Sequence, residues 1–285
     1  MSSIFTFTQK QSIEILALGC FDGLHLGHKE LLKHLKPHNS ALLVIDKFQN
    51  DRLVPKEKMS ELCEFKLIFV DFKSIKEFSA RDFLELLQSE FVNLNTVVVG
   101  EDFRFGKDRA GGALDIEKMS KLRAIIVPDF EFKGFSVHSK KIKEFLRSGD
   151  IRLANILLGR DYAVEGAVIS GQGLGSKELV PTLNLDSKNY FLPKNGVWAS
   201  LCELGGQIFK SVSFIGLRST DGKFSVESHI LDENFANLKL NKNEKITLIF
   251  KEFLRENKHF DELSALKAQI QKDCENALLA LKEGL

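Results

Sequence analysis

Two histidines in a glycine-rich stretch are the residues of this sequence with the clearest capacity for chemistry. The stretch GCFDGLHLGH runs from Gly19 to His28 and also contains His25. Imidazole N–H groups aimed at a phosphate stabilise the charge that builds on its oxygens during in-line displacement. The pattern therefore predicts a phosphate-transfer site that needs no covalent nucleophile. The alternative is that His28 caps a helix and His25 lies on the surface.

A strand on one side and a helix on the other must hold these histidines in place. The apolar run 13–19 is strand-like, and an amphipathic segment begins near Gly27. Gly23 and Gly27 would let a ligand come close to the backbone of the turn. The free N–H groups at the start of the helix favour an anion. Asp22 is expected either to hold the loop through an Asx-type hydrogen bond or to contact the ligand.

The first half of the chain alternates short apolar runs with amphipathic segments. The strand-like runs are 13–19, 41–46, 66–72, 96–100 and 123–130. The segments that are typical of helices are 27–36, 56–65, 79–91 and 112–122. This alternation predicts an α/β domain with a parallel sheet over residues 1–157. In such a sheet the ligand binds at the carboxyl ends of the strands.

The second half, residues 158–285, has a different pattern. Short, partly alternating runs are separated by Gly, Asn, Asp and Lys turns, which predicts an all-β domain, either an antiparallel barrel or a sandwich. Apolar residues then recur at spacings of three and four from Leu263 to Leu281, which predicts a C-terminal helix.

Composition limits the expected partners and compartment. The 40 basic and 39 acidic residues give a net charge of +1, which argues against a protein that coats nucleic acid or an anionic membrane. No apolar run approaches the roughly 20 residues of a membrane span, and the N-terminus does not resemble a signal peptide. We therefore expect a cytoplasmic protein without nucleic-acid or membrane partners. A disulfide framework or zinc site is not expected, because no CxxC pair occurs among Cys20, Cys63, Cys202 and Cys274.

Motifs in both halves, in the same order, carry a resemblance to a known family. The first stretch and VVVGEDFRFGKDRAGG (97–112) are similar to the flavin adenylyltransferase branch of the nucleotidyltransferases, whose α/β domain is Rossmann-like. Three later stretches resemble the flavokinase barrel: GRDYAVEGAVISGQGLGSKELVPTLNL (159–185), VESHILD (226–232) and FLRENKHFDELSALKAQIQKD (253–273). The whole chain resembles the bacterial bifunctional riboflavin kinase/FAD synthetases. The resemblance implies phosphorylation of riboflavin to FMN and adenylylation of FMN to FAD, each with ATP.

For the adenylyl half, the resemblance implies that His25 and His28 are catalytic. It implies contacts with the ATP phosphates for Gly19, Phe21, Asp22, Gly23, Gly27, Ser139, Lys140 and Lys143. It implies flavin contacts for Asp102, Phe103, Arg104 and Arg109. An arginine fork suits a phosphate and an aromatic ring can lie on the isoalloxazine. The alternative for Phe103 and Phe105 is a place in the core.

For the kinase half, the resemblance implies that Glu227 accepts the proton of the ribityl hydroxyl. Thr182 and Asn184 would be ligands of Mg²⁺, the cofactor that accompanies ATP. Arg255 would contact the flavin, with an exposed salt bridge as the alternative. A flexible phosphate-binding loop is implied for Gly171, Gly173 and Gly175.

Some positions depart from the family pattern. Cys20 stands where asparagine is usual, and HSKKIK (138–143) replaces a motif resembling SSTxIR. Lysine keeps the charge of arginine but loses its planar fork. Two alternatives to the bifunctional enzyme are a single-activity descendant with one degenerate half and a non-catalytic flavin- or nucleotide-binding regulator. We expect a monomer or a weak homo-oligomer.

Overall fold

The chain, represented by a computed structural model, forms two compact units, Met1–Ser139 and Lys140–Leu285. The predicted boundary between residues 157 and 158 is a division by sequence pattern and stays a prediction. Among the described residues, no helix has the length and apolar character needed to cross a membrane. The structure describes residues 10–47, 51–169, 182–187, 189–218, 221–232 and 244–283.

A parallel sheet forms the centre of the first unit. The strands of this unit are β1 (Ile15–Gly19), β2 (Ser40–Asp46), β3 (Lys66–Asp71), β4 (Thr96–Gly100), β5 (Arg104–Phe105), β6 (Gly111–Gly112), β7 (Arg123–Val127), β8 (Glu131–Phe132) and β9 (Phe135–Ser136). The parallel sheet has the order β3-β2-β1-β4-β7, and β5-β6 and β8-β9 form two small antiparallel pairs. The predicted α/β fold is confirmed. Strand β1 lies at the centre of the sheet, so its carboxyl end lies in the middle of the edge where ligands bind.

The helices of the first unit agree with the sequence pattern only in part. The α-helices are α1 (Leu26–Leu32), α2 (Phe72–Ile75), α3 (Ala80–Glu90) and α4 (Ile116–Met119). Helix α3 begins at a capping box between Ser79 and Asp82, at the start of the segment 79–91. The prediction over 56–65 was wrong, because this segment forms a 3₁₀ helix, Lys56–Glu61, that buries only Met59. One buried side chain gives too little packing to stabilise a longer α-helix.

The second unit is a closed antiparallel barrel with a C-terminal helix, as predicted, and not a sandwich. The barrel order is β10-β11-β14-β13-β12-β15. Helices α5 (Ser139–Ser148) and α6 (Ile151–Leu158) precede the barrel, and α7 (Leu263–Glu283) follows it. The strands are β10 (Ala163–Ile169), β11 (Leu183–Asp186), β12 (Gly196–Leu204), β13 (Gln207–Leu217), β14 (Phe224–Ile230) and β15 (Lys245–Arg255).

Side chains alternate between the inside and the outside of this barrel. Helix α7 packs on the outer face, where Ala277 and Leu281 cluster with Val197 and Ala199. The inside contains a chain of hydrogen-bonded serines that are 0% exposed: Ser200, Ser211, Ser213 and Ser228. These serines cross three neighbouring strands, so each hydroxyl finds a partner without water.

Candidate active sites

The two histidines of the first stretch form a stacked pair at the start of α1. His25 is the N-cap residue, and its Nδ1 accepts a hydrogen bond from the backbone N–H of His28 at 3.3 Å. The two rings stack with centroids 3.6 Å apart, and His25 is 4% exposed. The alternative, with His28 as the cap and His25 on the surface, is therefore wrong. Since Nδ1 of His25 accepts, the proton of its neutral ring is on Nε2.

Gly27 lets two distant parts of the chain come close together. A Cβ at this position would lie 2.7 Å from the carbonyl oxygen of Val137 and 3.3 Å from the His25 ring. The position where a Cβ of residue 27 would stand is therefore taken by the chain itself, while Gly27 also lines the cavity described below. Gly23, by contrast, has a φ of 87°, a conformation that side chains rarely adopt.

The loop between β1 and α1 is strained and is held by long-range hydrogen bonds. Phe21 and Leu24 have φ values of 48° and 43°, which cost of order 1–3 kcal/mol each. The Asp22 carboxylate accepts a hydrogen bond from the backbone N–H of Leu53 at 2.8 Å. The backbone carbonyl oxygen of Asp22 accepts a second hydrogen bond, from the Ser139 hydroxyl at 2.7 Å. Asp22 thus holds the loop through two residues that are distant in the sequence, Leu53 and Ser139.

One cavity at the carboxyl ends of the strands brings together most of the residues predicted for adenylyl transfer. Asp22 and Gly23 are buried in the adjoining loop. Lys140 is exposed on α5, and Lys143 places its ammonium 5.4 Å from the centre of the Phe191 ring, inside the second unit. The predicted residues that line the cavity are Gly19, Phe21, His25, Gly27, His28, Asp102, Phe103, Arg104, Arg109 and Ser139.

The same cavity contains further polar residues, of which Lys47 and Asp129 were not singled out from the sequence. Lys47 and Asp129 line it, as does His138, whose Nε2 lies 3.1 Å from Asp129 Oδ1. Lys47 directly follows β2, and Asp129 lies just after β7, so the carboxyl-edge rule could have found both. Cys20 also lines the cavity, and burial raises the pKa of its thiol, with a smaller opposing effect of the Lys47 charge.

The two phenylalanines of the second motif have different environments. Phe105 is 6% exposed and belongs to the core, while Phe103 is half-buried and lines the cavity. Their rings stack with centroids 5.7 Å apart. Arg104 and Arg109 are exposed at the same cavity, and Arg104 Nη1 donates to the Phe103 carbonyl at 3.1 Å. The chemistry of this wall suits a flavin nucleotide, because an aromatic ring can lie on an isoalloxazine and guanidinium groups can bind a phosphate.

Strand register places three of the predicted kinase residues in one row on the outside of the barrel. Asn184 of β11 pairs with Glu227 of β14, which pairs with Phe214 of β13. Phe214 pairs with Val197 of β12, and Val197 pairs with Arg255 of β15. Paired residues point to the same face of a sheet, so this row is continuous across five strands. Asn184 and Glu227 are direct neighbours, whereas Arg255 lies at the far end.

Arg255 forms an ion pair with Asp273 of the C-terminal helix. Its Nε donates to Asp273 Oδ1 at 2.8 Å and its Nη2 donates to Oδ2 at 2.5 Å. The Asp273 side chain is 5% exposed, and Gln269 donates to the same carboxylate. This pair joins β15 to α7, so its clearest effect is on the packing of the helix. A flavin contact for Arg255 stays a prediction, and the glycines 171, 173 and 175 lie outside the described residues.

The chemistry of Thr182 and Asn184 fits a magnesium ion beside ATP. Both offer neutral hard oxygens, and Thr182 directly precedes β11, two residues before Asn184. Two residues is the period at which side chains share one face of a strand. In the described part of the chain, no group of three or more His, Cys, Asp or Glu side chains could hold a metal ion. Mg²⁺ suits such a sparse site, since it binds through few protein ligands together with phosphates and water.

Two family models match the two halves of the chain. Residues 158–281 match the Flavokinase family, described as riboflavin kinase, and residues 7–49 and 53–141 match the FAD_syn family, described as FAD synthetase. A solved structure described as a macrolide-efflux protein from Streptococcus pneumoniae matches with a TM-score of 0.77. It is 23% identical and the match covers 94% of each chain, so this similarity shows the fold alone.

Two curated relatives cover nearly the whole chain, and both are named bifunctional riboflavin kinase/FMN adenylyltransferase. The protein from Pseudomonas fluorescens is 28% identical, over 91% of this chain and 90% of its own. The protein from Haemophilus influenzae is 30% identical, over 92% of each chain. The chain therefore belongs to the family of bifunctional riboflavin kinase/FMN adenylyltransferases, with the adenylyltransferase half first and the kinase half second.

Proposed function

We infer that this enzyme makes flavin cofactors in two steps. The barrel unit transfers the γ-phosphate of ATP to riboflavin and forms FMN. The α/β unit transfers AMP from a second ATP to FMN and forms FAD and pyrophosphate. The observation that carries this proposal is that both family halves occur in one chain. The stacked pair of His25 and His28 and the pairing of Asn184 with Glu227 support it.

In the adenylyl step, the protein contributes charge stabilisation and positioning. An oxygen of the FMN phosphate attacks the α-phosphorus of ATP, and pyrophosphate leaves. Nε2 of His25 and the ring of His28 would donate to the α-phosphate oxygens, which the stacking of the two rings and their place at the cavity support. Arg104 and Arg109 would bind the FMN phosphate at the cavity wall. Donors fixed before the reaction need no reorganisation as charge develops, which is the largest contribution in many enzymes.

In the kinase step, Glu227 would act as the general base. Its carboxylate accepts the proton of the ribityl hydroxyl while that oxygen attacks the γ-phosphorus and ADP leaves. General base catalysis of this kind typically contributes about 10²–10⁴-fold to the rate. Thr182 and Asn184 would hold Mg²⁺, which, when bound, offsets the negative charge of the ATP phosphates. Asn184 is the cross-strand neighbour of Glu227, which supports a common site for metal and base.

We propose that the enzyme works in the cytoplasm, as a monomer or weak homo-oligomer without nucleic-acid or membrane partners. Its four free cysteines and the need for ATP support a reducing compartment. A net charge of +1 supports the absence of a polyanionic partner. Size-exclusion chromatography tests the oligomeric state, and a gel shift with RNA at physiological salt tests the absence of nucleic-acid binding.

A time course with riboflavin, ATP and magnesium, analysed by chromatography of the flavins, tests the two reactions. We expect FMN first and FAD after it, and no product when EDTA removes the metal. His28→Ala should abolish FAD formation and spare FMN formation. Glu227→Gln should abolish FMN formation and spare FAD formation from supplied FMN.

Each departure from this pattern has a defined meaning. FMN without FAD, even when FMN is the substrate, would indicate a single-activity kinase. No product with either oxidised or reduced flavin would indicate a binding protein. If His28→Ala made FAD at the wild-type rate, the catalytic assignment of the histidine pair would be wrong.

A further inference from the structure

Glu227 lies in a cluster of charged side chains whose other members have no assigned function. Arg218 directly follows β13, and Asp221 lies in the turn before β14. Arg218 Nε donates to Asp221 Oδ1 at 3.0 Å, and Nη2 donates to Oδ2 at 2.7 Å. Its remaining nitrogen, Nη1, donates to Glu227 Oε1 at 3.5 Å. The three side chains are only 16%, 20% and 18% exposed.

The backbone around this cluster fixes the guanidinium of Arg218. The N–H of Arg218 donates to the carbonyl of Lys223 at 3.0 Å, and Gly222 donates back to the carbonyl of Arg218 at 2.9 Å. Asp221 Oδ1 also accepts from the N–H of Lys223 at 3.0 Å. Arg218 is thus held both by its backbone and by two hydrogen bonds from its fork. Such bidentate pairs are the geometrically specific form of an arginine–carboxylate contact.

Arg218 holds Glu227 by one hydrogen bond but does not fully neutralise its negative charge. An arginine paired closely with a general base weakens that base, because the positive charge stabilises the carboxylate. Here Asp221 takes two of the guanidinium donors at shorter distances and offsets its charge, and the Arg218 hydrogen bond lowers the pKa of Asp221. Glu227 receives one longer hydrogen bond. On its two neighbouring strands it faces the uncharged Asn184 and Phe214.

We propose that Arg218, fixed by Asp221, is a positioning residue for Glu227 in riboflavin phosphorylation. It holds Oε1, so that Oε2 is left to accept the proton of the ribityl hydroxyl. The new bond joins the ribityl oxygen to the γ-phosphorus, the β–γ bridge breaks, and ADP leaves. This inference rests on the proposed function, since it requires that Glu227 is the base. Arg218 acts only through Glu227 and does not touch the reacting atoms.

Arg218→Ala in the full-length enzyme is the first test. We expect kcat for riboflavin phosphorylation to fall by about tenfold to a hundredfold, since misplacing a reacting group by about 1 Å can cost about 10²-fold. KM values for riboflavin and ATP and the rate of FAD formation from FMN should stay near wild type. Arg218→Lys should restore part of kcat. Lys251→Gln is the matched control, because it removes another barrel cation from an ion pair, with Asp161 at 2.7 Å.

A double-mutant cycle separates positioning from a merely structural effect. In the background of Glu227→Gln, whose residual rate is measured at high enzyme concentration, Arg218→Ala should cause no further loss. An equal loss in that background, a change confined to KM, or an unchanged kcat would each overturn the inference. If Arg218→Ala also loses FAD formation because it does not fold, Asp221→Asn decides, and a kinase kcat within about twofold of wild type would overturn it.

Failure of this inference and failure of the proposed base can be told apart. If Glu227→Gln retains the wild-type kinase rate, Glu227 is not the base and Arg218 has nothing to position. If Glu227→Gln abolishes the kinase step while Arg218→Ala leaves it intact, only the role of Arg218 is wrong. The adenylyl reaction of the same sample reports whether the first unit is folded, and thermal unfolding of each variant, compared with wild type, reports whether the barrel is folded.

Discussion

Replacing Gly27 with alanine tests the close approach on which the histidine pair depends. The new Cβ would lie 2.7 Å from the carbonyl oxygen of Val137, whereas ordinary contact begins at 3.4 Å. The start of α1 and Val137 would therefore have to separate by about 0.7 Å. The Cβ would also lie 3.3 Å from two atoms of the His25 ring, so the strain acts directly on the histidine pair.

We expect Gly27→Ala to slow FAD formation by about tenfold to a hundredfold, because a misplacement near 1 Å can lower a rate about 10²-fold. Overpacking should destabilise the first unit by about 1–3 kcal/mol. Helix propensity acts in the opposite direction, since alanine is favoured over glycine within a helix by about 1 kcal/mol. If the added methyl group met no neighbouring atom, the first unit would become more stable. A loss of stability would therefore indicate the collision with Val137.

The assay measures FAD formed from FMN and FMN formed from riboflavin in the same preparation. Riboflavin phosphorylation should be unchanged in Gly27→Ala. Gly134→Ala is the matched control, because Gly134 has a φ of 79° but no heavy atom within 4 Å of its added Cβ. It introduces backbone strain without a collision and should keep most of the FAD activity. A wild-type FAD rate in Gly27→Ala, or an equal loss of both products, would refute the reasoning.

Three further outcomes are expected from the described contacts. Asp22→Ala should lower FAD formation and destabilise the first unit by about 1–3 kcal/mol in urea unfolding, because the Leu53 N–H loses its buried acceptor; unchanged stability would contradict this. Ser213→Ala should destabilise the barrel by a similar amount, about 1–3 kcal/mol, because it breaks hydrogen bonds at 2.7 and 3.1 Å to Ser200 and Ser228. Intact kinase activity at low denaturant concentration would show that the variant loses stability and not catalysis. Since burial raises the pKa of Cys20, its alkylation by iodoacetamide, followed by peptide mapping, should stay slow at neutral pH and accelerate only at a higher pH than that of an ordinary thiol. Fast labelling at pH 7 would argue against the raised pKa.

The fold followed from the sequence where local pattern and packing agree. The five apolar runs of the first half became the parallel strands, because strands covered on both faces are apolar throughout. The barrel strands carry the alternation of a sheet with two different faces, one of which packs on α7. The segment 112–122 shows where local pattern fails. It forms only a 3₁₀ turn, Ala113–Asp115, and the short helix α4, Ile116–Met119, which ends because the backbone is extended at Ser120, with φ −146° and ψ 177°.

The site was predictable in its residue types but not in its contacts. The spacing of His25 and His28 indicated a helix start, yet only the structure shows that His25 is the cap. Gly27 needs its small size because of Val137, which is 110 residues later in the sequence. Asp22 accepts from Leu53, 31 residues away. No periodicity carries such information, because it depends on which strands become neighbours.

The kinase half shows most clearly why register, and not spacing, decides function. Asn184 and Glu227 lie 43 positions apart in the chain, but the pairing of β11 with β14 makes them neighbours. Arg218 comes close to Glu227, which is nine positions later in the chain, because β13 and β14 are antiparallel neighbours. In the sequence this arginine is one of many basic residues near a turn, where an exposed salt bridge is the usual outcome. Its low exposure and its shared contact with Asp221 and Glu227 set it apart, and both are properties of the folded barrel alone. A search for further kinase residues should therefore follow the row of paired strands outward from Glu227.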